Sequence, residues 1–275
     1  MKLVHMTRRV VFSSGHRYWF DSLSAEENHR IFGPWASRFN HGHNYVLDLT
    51  VSGTVDPSTG MVVNIKRVDD ALRELVVSEF DQRSINDEIP YFQDRAPCLE
   101  NLLTYIWAKL SPPGALPEEC KLERIRLEEM PTFYGELDKR QMTLTRSYEF
   151  AASHRLHSPV LDQATNESLF GKCNNPAGHG HNYILEVSVT GDLNPETGMM
   201  ADLSEMDKAI ESQVVDRYDH KNLNEDLPEF QGKMTTTEIV AQEIFNRLDG
   251  NLPAKLSRIR LWETARNMFE VSAAG

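Results

Sequence analysis

The spacing of apolar residues divides the chain into strands and helices that occur in the same order twice. In the C-terminal half, LTRSYEF and NYILEVSV alternate apolar and polar residues, which is typical of half-buried β-strands. LSEMDKAIESQVVDRY and TTTEIVAQEIFNRL carry apolar residues three or four positions apart, which predicts two amphipathic helices, the second capped by threonines. LSRIRLWET and NMFEVSA follow as two more strands. This order predicts an α+β fold, a four-stranded antiparallel sheet with two helices on one face.

The N-terminal half repeats the pattern with many of the same residues. FSSGHRYWF, NHGHNYVLDL and DPSTGMVVNI correspond to FAASHRLH, GHGHNYILEV and NPETGMMADL. The histidines of these segments are all separated by 138 positions (154 − 16, 179 − 41, 181 − 43). A constant offset over this length indicates an internal duplication. We therefore predict two tandem modules, residues 1–138 and 139–275, with helices near 65–80 and 99–110 in the first and a long loop, 156–178, in the second.

Three histidines in each module form a candidate metal site. His179 and His181 are two residues apart on a predicted strand, so their side chains point to the same side, and His154 ends the preceding strand. Three neutral imidazoles without a fourth protein ligand describe an open, catalytic zinc site. In the first module His16, His41 and His43 occupy the same positions. Either zinc ligation or retention as packing residues fits that second set.

Further ionisable residues of the second module are candidates for catalysis. Cys173 lies six residues before His179, between polar neighbours that favour an accessible loop. Asp219 and His220 are adjacent where a helix ends, and a histidine beside a carboxylate is suited to general acid–base catalysis. From the residues alone, a turn brace and a surface histidine fit this pair equally well. Glu263 on a late strand either binds a ligand with several N–H donors or is solvated.

Composition narrows the class of protein. The 275 residues are 40% hydrophobic and 25% charged, which is ordinary for a globular chain. The formal charge of −12 argues against nucleic acid as the main partner, although a small anionic substrate needs only local Lys and Arg. No stretch is apolar enough to span a bilayer, and the first residues lack the core of a secretion signal. With three cysteines that cannot all pair, we expect a cytoplasmic protein with reduced thiols.

Several motifs together resemble the 6-pyruvoyltetrahydropterin synthase family in order and spacing: FAASHRLH, GKCNNPAGHGHNY, NPETGMMADL, DHKNLNEDLPEF, TTTE and LWET. The resemblance implies two tunnelling-fold modules that join edge to edge into a β-barrel ring, and therefore a homo-oligomer. It implies a Zn²⁺-dependent lyase of tetrahydrobiopterin biosynthesis that converts 7,8-dihydroneopterin triphosphate to 6-pyruvoyltetrahydropterin and eliminates triphosphate.

The resemblance also assigns roles to individual residues of the second module. His154, His179 and His181 correspond to the zinc ligands. Cys173, Asp219 and His220 correspond to the proton-transfer groups. Glu263, with Thr236 or Thr237, corresponds to the anchor of the pterin ring. Arg155, Lys172 and Lys221 are the candidates to receive the phosphates, and sequence does not rank them.

The first module departs from this pattern outside its histidines. Trp35 stands opposite Cys173, Asp81 and Gln82 stand opposite Asp219 and His220, and Cys98 stands opposite Thr236. Asp81 keeps the carboxylate of Asp219, and Glu100 and Glu129 match Glu238 and Glu263. We expect this copy to be catalytically silent and to serve mainly in completing the barrel.

Three other functions compete with the leading interpretation. A 6-carboxytetrahydropterin synthase of the queuosine route takes the same substrate, but usually has a shorter spacing between cysteine and HGH than this chain. An aldolase-like relative would cleave the side chain of dihydroneopterin, and the presence of Cys173 counts against it. A non-catalytic pterin- or metal-binding module is suggested by the losses in the first copy, and the complete set in the second copy counts against it.

Overall fold

A computed structural model describes residues 2–273, and it divides them into two compact units. Unit 1 consists of Met1–Leu144 and Thr190–Ala201, and unit 2 of Thr145–Val189 and Asp202–Gly275, each within the described residues. The segment 190–201, which the repeat places in the second module, thus packs with unit 1. Within residues 2–273, no helix has the length and apolarity needed to cross a membrane.

Unit 1 is built on a sheet whose four long strands run antiparallel to their neighbours. Its strands are β1 (Leu3–His16), β2 (His41–Thr54), β3 (Arg83–Ser84), β4 (Lys121–Met130) and β5 (Phe133–Asp138). The order across the sheet is β3-β1-β2-β4-β5, and only the two-residue β3 is parallel to its neighbour. The register of β1 and β2 places His16 opposite His41, which brings the first and second histidines of the module together.

Unit 2 repeats this arrangement. Its strands are β6 (Met142–His154), β7 (His179–Thr190), β8 (Lys221–Asn222), β9 (Lys255–Thr264) and β10 (Asn267–Ser272). The order is β8-β6-β7-β9-β10, with the short β8 parallel to β6 and β9 antiparallel to β10. The predicted α+β class and four-stranded sheet are confirmed, and one short parallel strand is added in each unit.

The helices agree with the apolar periodicity, except that a π-helical turn interrupts the long helix of each unit. In unit 1 they are α1 (Ala25–Phe32), α2 (Ile65–Leu72), α3 (Ser78–Phe80), α4 (Ile85–Glu88) and α5 (Leu99–Leu110), and in unit 2 they are α6 (Gln163–Phe170), α7 (Leu203–Ile210), α8 (Asp216–Tyr218) and α9 (Thr237–Leu248). A π-helical turn joins α2 to α3 and another joins α7 to α8. The predicted helix 65–80 is therefore continuous, with a π-helical turn between its two α-helical parts.

Two details of the sequence-based prediction are wrong. Residues 156–178 are not a bare loop, because α6 lies within them and begins where the Asp162 side chain accepts a hydrogen bond from the backbone N–H of Thr165. The equivalent α1 begins with a capping box between Ser24 and Glu27. The threonine before α9 does not cap it, since the Thr236 side chain makes no hydrogen bond to the helix end.

The long helix pair of each unit packs on the sheet through apolar residues and one partly buried ion pair. In unit 2, Asp207 on α7 accepts two hydrogen bonds from Arg146 on β6, at 3.0 and 2.6 Å, and one from the Tyr148 hydroxyl at 2.6 Å. Arg8 and Asp69 make the matching contact in unit 1. Side chains buried between helix and sheet, each stabilising by about 1.5–3 kcal/mol, include Leu47, Leu72, Val76, Ile106, Leu185, Met206, Ile210 and Ile244.

Candidate active site

The three histidines of unit 2 converge at one end of the sheet. His154 ends β6, and His179 and His181 begin β7. Nε2 of His154 and Nε2 of His179 are 3.2 Å apart, and the three ring centroids are 4.6–5.2 Å from one another. One nitrogen from each ring lies within 4.8 Å of the others. The two-residue spacing on a strand therefore does place both imidazoles on one side.

A backbone carbonyl fixes the tautomer of His154. Its Nδ1 lies 2.7 Å from the carbonyl oxygen of Thr235. Because a carbonyl can only accept, Nδ1 carries the proton, and the lone pair of Nε2 is directed toward the other histidines. A metal-ligating histidine is commonly oriented by such a hydrogen bond from its second nitrogen.

The donor set fits a divalent zinc ion. Burial lowers the pKa of His154 and of His181, so both imidazoles are neutral and able to ligate at neutral pH. Among the described residues, the buried Nε2 of His181 has no hydrogen-bond partner. Two Zn–N bonds meeting at a tetrahedral angle separate the nitrogens by roughly 3.3 Å. The 3.2 Å between His154 and His179 is close to that separation.

A glutamate from the late strand β9 borders the histidine cluster. Oε1 of Glu263 lies 3.6 Å from Nε2 of His154 and 3.6 Å from Nε2 of His181. The same oxygen accepts a hydrogen bond of 2.8 Å from the hydroxyl of Thr237. Of the two threonines that the sequence offered as partners of Glu263, the structure brings Thr237 to it. Thr236 lies one residue earlier, as the N-cap of α9.

The adjacent Asp219 and His220 form a hydrogen-bonded pair at the end of α8. Nδ1 of His220 lies 2.7 Å from Oδ2 of Asp219, whose other oxygen accepts the backbone N–H of Ala151 at 2.7 Å. That backbone hydrogen bond, and then His220, lower the pKa of Asp219, so this carboxyl is ionised. The His220 side chain is 83% exposed and therefore accessible to a ligand.

His220 has a left-handed backbone, with φ of 57°, and its N–H donates to the carbonyl of Ala151 at 2.6 Å. Gln82, the equivalent residue of unit 1, has φ of 59° and the same hydrogen bond, to Ser13. Since both copies keep this uncommon conformation and only one keeps the histidine, the conformation belongs to the turn and not to the chemistry.

An open groove of about 640 Å³ joins the two sets of groups. His181 of the metal cluster and His220 of the acid–base pair both line it. Its remaining lining residues are Ala151, Ala152, Ser153, Gly180, Asn182, Lys221 and Asn222. A larger cavity, about 880 Å³, lies in unit 1 between α2 and residues 114–119, but no candidate site residue lines it. The chemistry of the lining, and not the volume, makes this groove the candidate site.

The loop that carries Cys173 is tied to the residues following His154. The N–H of Leu156 donates to the Cys173 carbonyl at 2.9 Å. Arg155 donates from Nε to the carbonyl of Asn174 at 3.2 Å and from Nη2 to its side-chain oxygen at 3.1 Å. Cys173 itself is half-buried and is not in a disulfide. Its role in proton transfer stays a prediction.

Two asparagines, the half-buried Asn224 and the buried Asn166, support the site and were missed from the sequence. Asn224 accepts the N–H of Arg155 at 2.8 Å and donates to the carbonyl of Arg155 at 3.1 Å, which holds the chain directly after His154. Asn166 binds the backbone of Ser158 in the same two-sided way. Asn86 and Asn28 do the same in unit 1. The offset of 138 residues between Asn86 and Asn224, and between Asn28 and Asn166, could have revealed these asparagines in the sequence.

The three histidines of unit 1 form a cluster of the same geometry. Nε2 of His16 lies 3.0 Å from Nε2 of His41, and Nδ1 of His16 lies 3.0 Å from the carbonyl of Pro97. Burial lowers the pKa of His16 to about 3 and that of His43 to about 4. Oε1 of Glu129 is 3.6 Å from Nε2 of His43. The first copy therefore keeps a complete, neutral metal-ligand set.

Comparison with known proteins decides the family. The family model described as 6-pyruvoyl tetrahydropterin synthase matches the chain twice, over residues 5–140 and 143–274. The chain belongs to the 6-pyruvoyl tetrahydropterin synthase family. Because each half matches the model by itself, the internal repeat is a tandem pair of family modules, as the resemblance predicted, and each unit has the α+β tunnelling fold of that family.

Individual relatives carry two different names. The chain is 45% identical to 6-pyruvoyl tetrahydrobiopterin synthase of Poecilia reticulata over 126 residues, 46% of this chain and 86% of the relative. It is 31% identical to 6-carboxy-5,6,7,8-tetrahydropterin synthase of Haemophilus influenzae over 120 residues, 36% of this chain and 84% of the relative. The solved Caenorhabditis elegans 6-pyruvoyl tetrahydropterin synthase is 40% identical, covers 48% of this chain and 95% of its own, and has a TM-score of 0.46.

Proposed function

We propose that unit 2 is a zinc-dependent lyase that converts 7,8-dihydroneopterin triphosphate to 6-pyruvoyltetrahydropterin and releases triphosphate. The observation that carries this proposal is one groove lined both by a member of the histidine cluster, His181, and by the acid–base pair through His220. The elimination needs an electrophile beside the substrate side chain and groups that take up and deliver protons. This groove holds candidates for both.

His154, His179 and His181 would hold the zinc ion. Zinc bound there would polarise the side-chain hydroxyls next to the pterin ring and acidify the neighbouring C–H bonds. The Thr235 carbonyl keeps the proton of His154 on Nδ1, away from the metal side. The two hydrogen bonds of Asn224 to Arg155 keep the backbone after His154 in place.

We assign proton transfer to Cys173 and to the Asp219–His220 pair. Because the ionised Asp219 can only accept, it holds a proton on Nδ1 of His220 and leaves Nε2 to exchange protons with the substrate. We assign Cys173 as the group that removes the other proton. Arg155 and Leu156 hold its loop beside the strand end that carries His154.

Glu263 and Thr237 are assigned to the pterin ring. A carboxylate that faces the two N–H groups of a guanidine-like ring edge accepts a pair of charge-assisted hydrogen bonds, which are roughly twice as strong as neutral ones. Thr237 donates to Oε1 of Glu263 and so restricts the orientation of the carboxylate. In this proposal the pterin ring is recognised next to the metal cluster, because Glu263 lies 3.6 Å from two of its histidines.

Arg155 is the best of the three candidates for the phosphates. Its counterpart in unit 1, Arg17, is neutralised by Asp87 at 2.8 and 2.9 Å and by Asp21 at 3.1 Å. Glu225 and Pro159 stand at those two positions in unit 2. Among residues 2–273, Arg155 hydrogen-bonds only neutral groups and forms no ion pair with a carboxylate. Its charge is therefore available to an anionic substrate.

The proposed working form is a homo-oligomer. In unit 1 the residues 197–200 cover the start of α5, where the N–H of Met200 donates to the buried Glu100 at 2.7 Å. The equivalent Glu238 at the start of α9 is exposed, and so are residues 59–61, the first-copy counterparts of 197–199 in the covering segment. A second copy of the chain offers the matching partner for each. Size-exclusion chromatography with light scattering tests this, and a monomer would contradict it.

The decisive experiment identifies the products. The zinc-loaded chain is incubated with 7,8-dihydroneopterin triphosphate, and the products are separated and identified by mass spectrometry. Inorganic triphosphate together with a pyruvoyl pterin supports the proposal. Acetaldehyde with a carboxy pterin would instead assign the activity named for the Haemophilus influenzae relative. Binding of the pterin without turnover would contradict catalysis and favour a binding module.

The variant Cys173→Ala separates catalysis from folding in the same assay. We expect it to retain its zinc and its affinity for the pterin while turnover falls by at least about a hundredfold. Zinc content and the thermal midpoint serve as its controls. Turnover close to that of the unmodified chain would remove Cys173 from the mechanism.

A further inference from the structure

Three side chains join the loop that carries Cys173 to the chain that follows β6. Asn174, the residue after Cys173, is buried, and its side-chain oxygen lies 3.1 Å from Nη2 of Arg155 and 3.0 Å from Nδ1 of His157. The Asn174 carbonyl accepts a third hydrogen bond, of 3.2 Å, from Nε of Arg155. Together these three hydrogen bonds form what we call the Asn174 bridge.

The chemistry of the donors fixes the roles within the Asn174 bridge. A guanidinium can only donate, so the Asn174 side-chain atom that faces Arg155 is the oxygen and not the amide nitrogen. Nδ1 of His157 approaches the same oxygen and therefore carries a proton. Both lone pairs of this oxygen are then used, and removal of either donor leaves a buried acceptor partly unsatisfied, which is costly. The bridge thus holds Asn174 in one orientation.

Unit 1 keeps a backbone contact at this place but not the bridge. Tyr18 and Ala36 pair there in an isolated parallel β-bridge. Ala36 stands at the position of Asn174, and Trp19 stands at that of His157. Because an alanine side chain has no polar atom, the side-chain hydrogen bonds of the Asn174 bridge cannot form in unit 1.

The bridge and the cysteine occur in the same copy. In unit 1 the guanidinium of Arg17 is directed to Asp87 and Asp21 instead, and Trp35 stands at the position of Cys173. A bridge that the fold itself required would be present in both copies. Since it is found in the copy that has the thiol, and the backbone contact is found in both, the bridge serves the thiol.

We propose that Asn174 and His157 are positioning residues that hold the thiol of Cys173 in its working orientation. This inference rests on the function proposed for unit 2, in which Cys173 removes a proton. Together with the 2.9 Å hydrogen bond from the N–H of Leu156 to the Cys173 carbonyl, the bridge restricts the backbone that carries the thiol. Such restriction matters for catalysis because a displacement of about 1 Å can lower a rate roughly a hundredfold.

The alkylation rate of Cys173 tests the proposal without relying on turnover. Iodoacetamide is added to the full-length chain, and the peptide that contains Cys173 is quantified by mass spectrometry, separately from the buried Cys98 and Cys120. Because Cys173 is half-buried, a loosened loop exposes the thiol more often. We expect Asn174→Ala to raise the alkylation rate at least about fivefold.

Asn175→Ala is the matched control, since it makes the same change one residue later. The Asn175 side chain donates to the carbonyl of Gly178 at 3.1 Å and accepts the N–H of Ala177 at 3.2 Å, so it braces the turn that follows. We expect this variant to be alkylated at the rate of the unmodified chain. An unchanged rate in Asn174→Ala, or an equal rise in both variants, would overturn the proposal.

Steady-state kinetics of the same variants separate positioning from support of the fold. Asn174→Ala is expected to lower kcat by roughly ten- to a hundredfold and to change KM by less than about threefold, with its zinc content unchanged. Faster alkylation together with an unchanged kcat would overturn the positioning role. If the unmodified chain does not turn over 7,8-dihydroneopterin triphosphate, the function proposed for unit 2 fails, while the alkylation rates still decide whether the bridge holds the thiol.

His157 supplies a second pair of variants in case Asn174→Ala does not fold. His157→Phe keeps a ring but removes the donor, whereas His157→Asn keeps a side-chain N–H donor. We expect the alkylation of Cys173 to accelerate in His157→Phe and to return toward the unmodified rate in His157→Asn. Equal rates in these two variants would overturn the role of His157, because the hydrogen bond would then make no difference.

Discussion

The hydroxyl of Thr237 donates a 2.8 Å hydrogen bond to the carboxylate of Glu263, at the oxygen that also lies 3.6 Å from two histidines of the metal cluster. One oxygen atom thus connects the start of α9 to the end of β6 and the start of β7. The second oxygen of this carboxylate, Oε2, accepts a hydrogen bond of 3.4 Å from the side chain of Asn267. Under the proposed function, the Thr237–Glu263 contact couples ligand recognition to metal binding.

Thr237→Val tests that coupling. Removing a hydrogen bond to a charged group is expected to cost about 1.5–3 kcal/mol, so KM or the pterin dissociation constant should rise by roughly ten- to a hundredfold. The matched control is Thr236→Val, because the Thr236 side chain makes no hydrogen bond to the end of α9. Pterin fluorescence titration measures both variants. A larger loss for Thr236→Val would assign the ring contact to the other threonine.

Asp219→Asn tests the acid–base pair, and unit 1 supplies its control. Asp219 accepts a backbone N–H from Ala151 as well as the proton of His220. Among the described residues, Asp81 accepts only the equivalent backbone N–H, from Ser13, at 2.9 Å. An asparagine at this position keeps a side-chain oxygen that can accept the backbone N–H of Ala151. It lacks the negative charge with which Asp219 binds the Nδ1 proton of His220. We expect kcat to fall by about 10²–10⁴ for Asp219→Asn, and Asp81→Asn to leave kcat unchanged.

The test measures kcat by steady-state kinetics, and the thermal midpoint, for both Asp219→Asn and Asp81→Asn. An equal drop in kcat for the two variants would mean that the turn, and not proton transfer, is what the carboxylate supports. An unchanged kcat in Asp219→Asn would remove the pair from catalysis.

Arg155→Gln tests phosphate recognition. Loss of an uncompensated guanidinium is expected to weaken binding of the triphosphate substrate by at least about tenfold and to leave binding of the triphosphate-free 7,8-dihydroneopterin nearly unchanged. Inorganic tripolyphosphate should raise the thermal midpoint of the unmodified chain and not that of the variant. Arg17→Gln is the matched control, since Asp87 and Asp21 already occupy its guanidinium. Equal losses for both substrates would instead make Arg155 a support for the Cys173 loop.

The lowered pKa of Glu229 predicts how the stability of unit 2 depends on pH. Its carboxylate accepts hydrogen bonds from Arg217 at 2.7 and 2.6 Å and from Arg247 at 3.0 Å, and only a tenth of the side chain is exposed. The Arg217 hydrogen bonds lower the pKa of Glu229 from 4.5 to about 2. A depressed pKa means that folding favours the ionised form. The contribution is therefore complete above pH 4.5 and is lost as the pH falls toward 2.

The size of that contribution is about 2 kcal/mol after allowance for solvent screening at the partly exposed arginines. Glu229→Gln should lower the free energy of unfolding by about this amount at pH 7 and by much less at pH 2.5, as measured with urea. Glu205→Gln serves as a surface control, because its partner Lys208 is mostly exposed. A difference between Glu229→Gln and the unmodified chain that does not change with pH would contradict the assignment.

The sequence by itself determined the two copies, their α+β class, the strands that carry the histidines and the candidate site of unit 2. Alternation and three- to four-residue spacing report which face of an element is buried, and a constant offset reports duplication, so these features can be read from local order. The resemblance then supplied roles for Cys173, Asp219, His220 and Glu263. It did not distinguish Thr236 from Thr237, nor rank Arg155 above the lysines.

The choice between Thr236 and Thr237, and the ranking of Arg155 above the lysines, depended on tertiary structure. Only the folded chain shows that Thr237 reaches Glu263 and that Arg155, unlike Arg17, forms no ion pair within residues 2–273. It also shows that residues 197–200 pack against the start of α5. The reason is physical. Hydrogen-bond partners 26 to 100 residues apart are chosen by how helices pack on the sheet, and sequence periodicity records the buried face but not the neighbour that fills it.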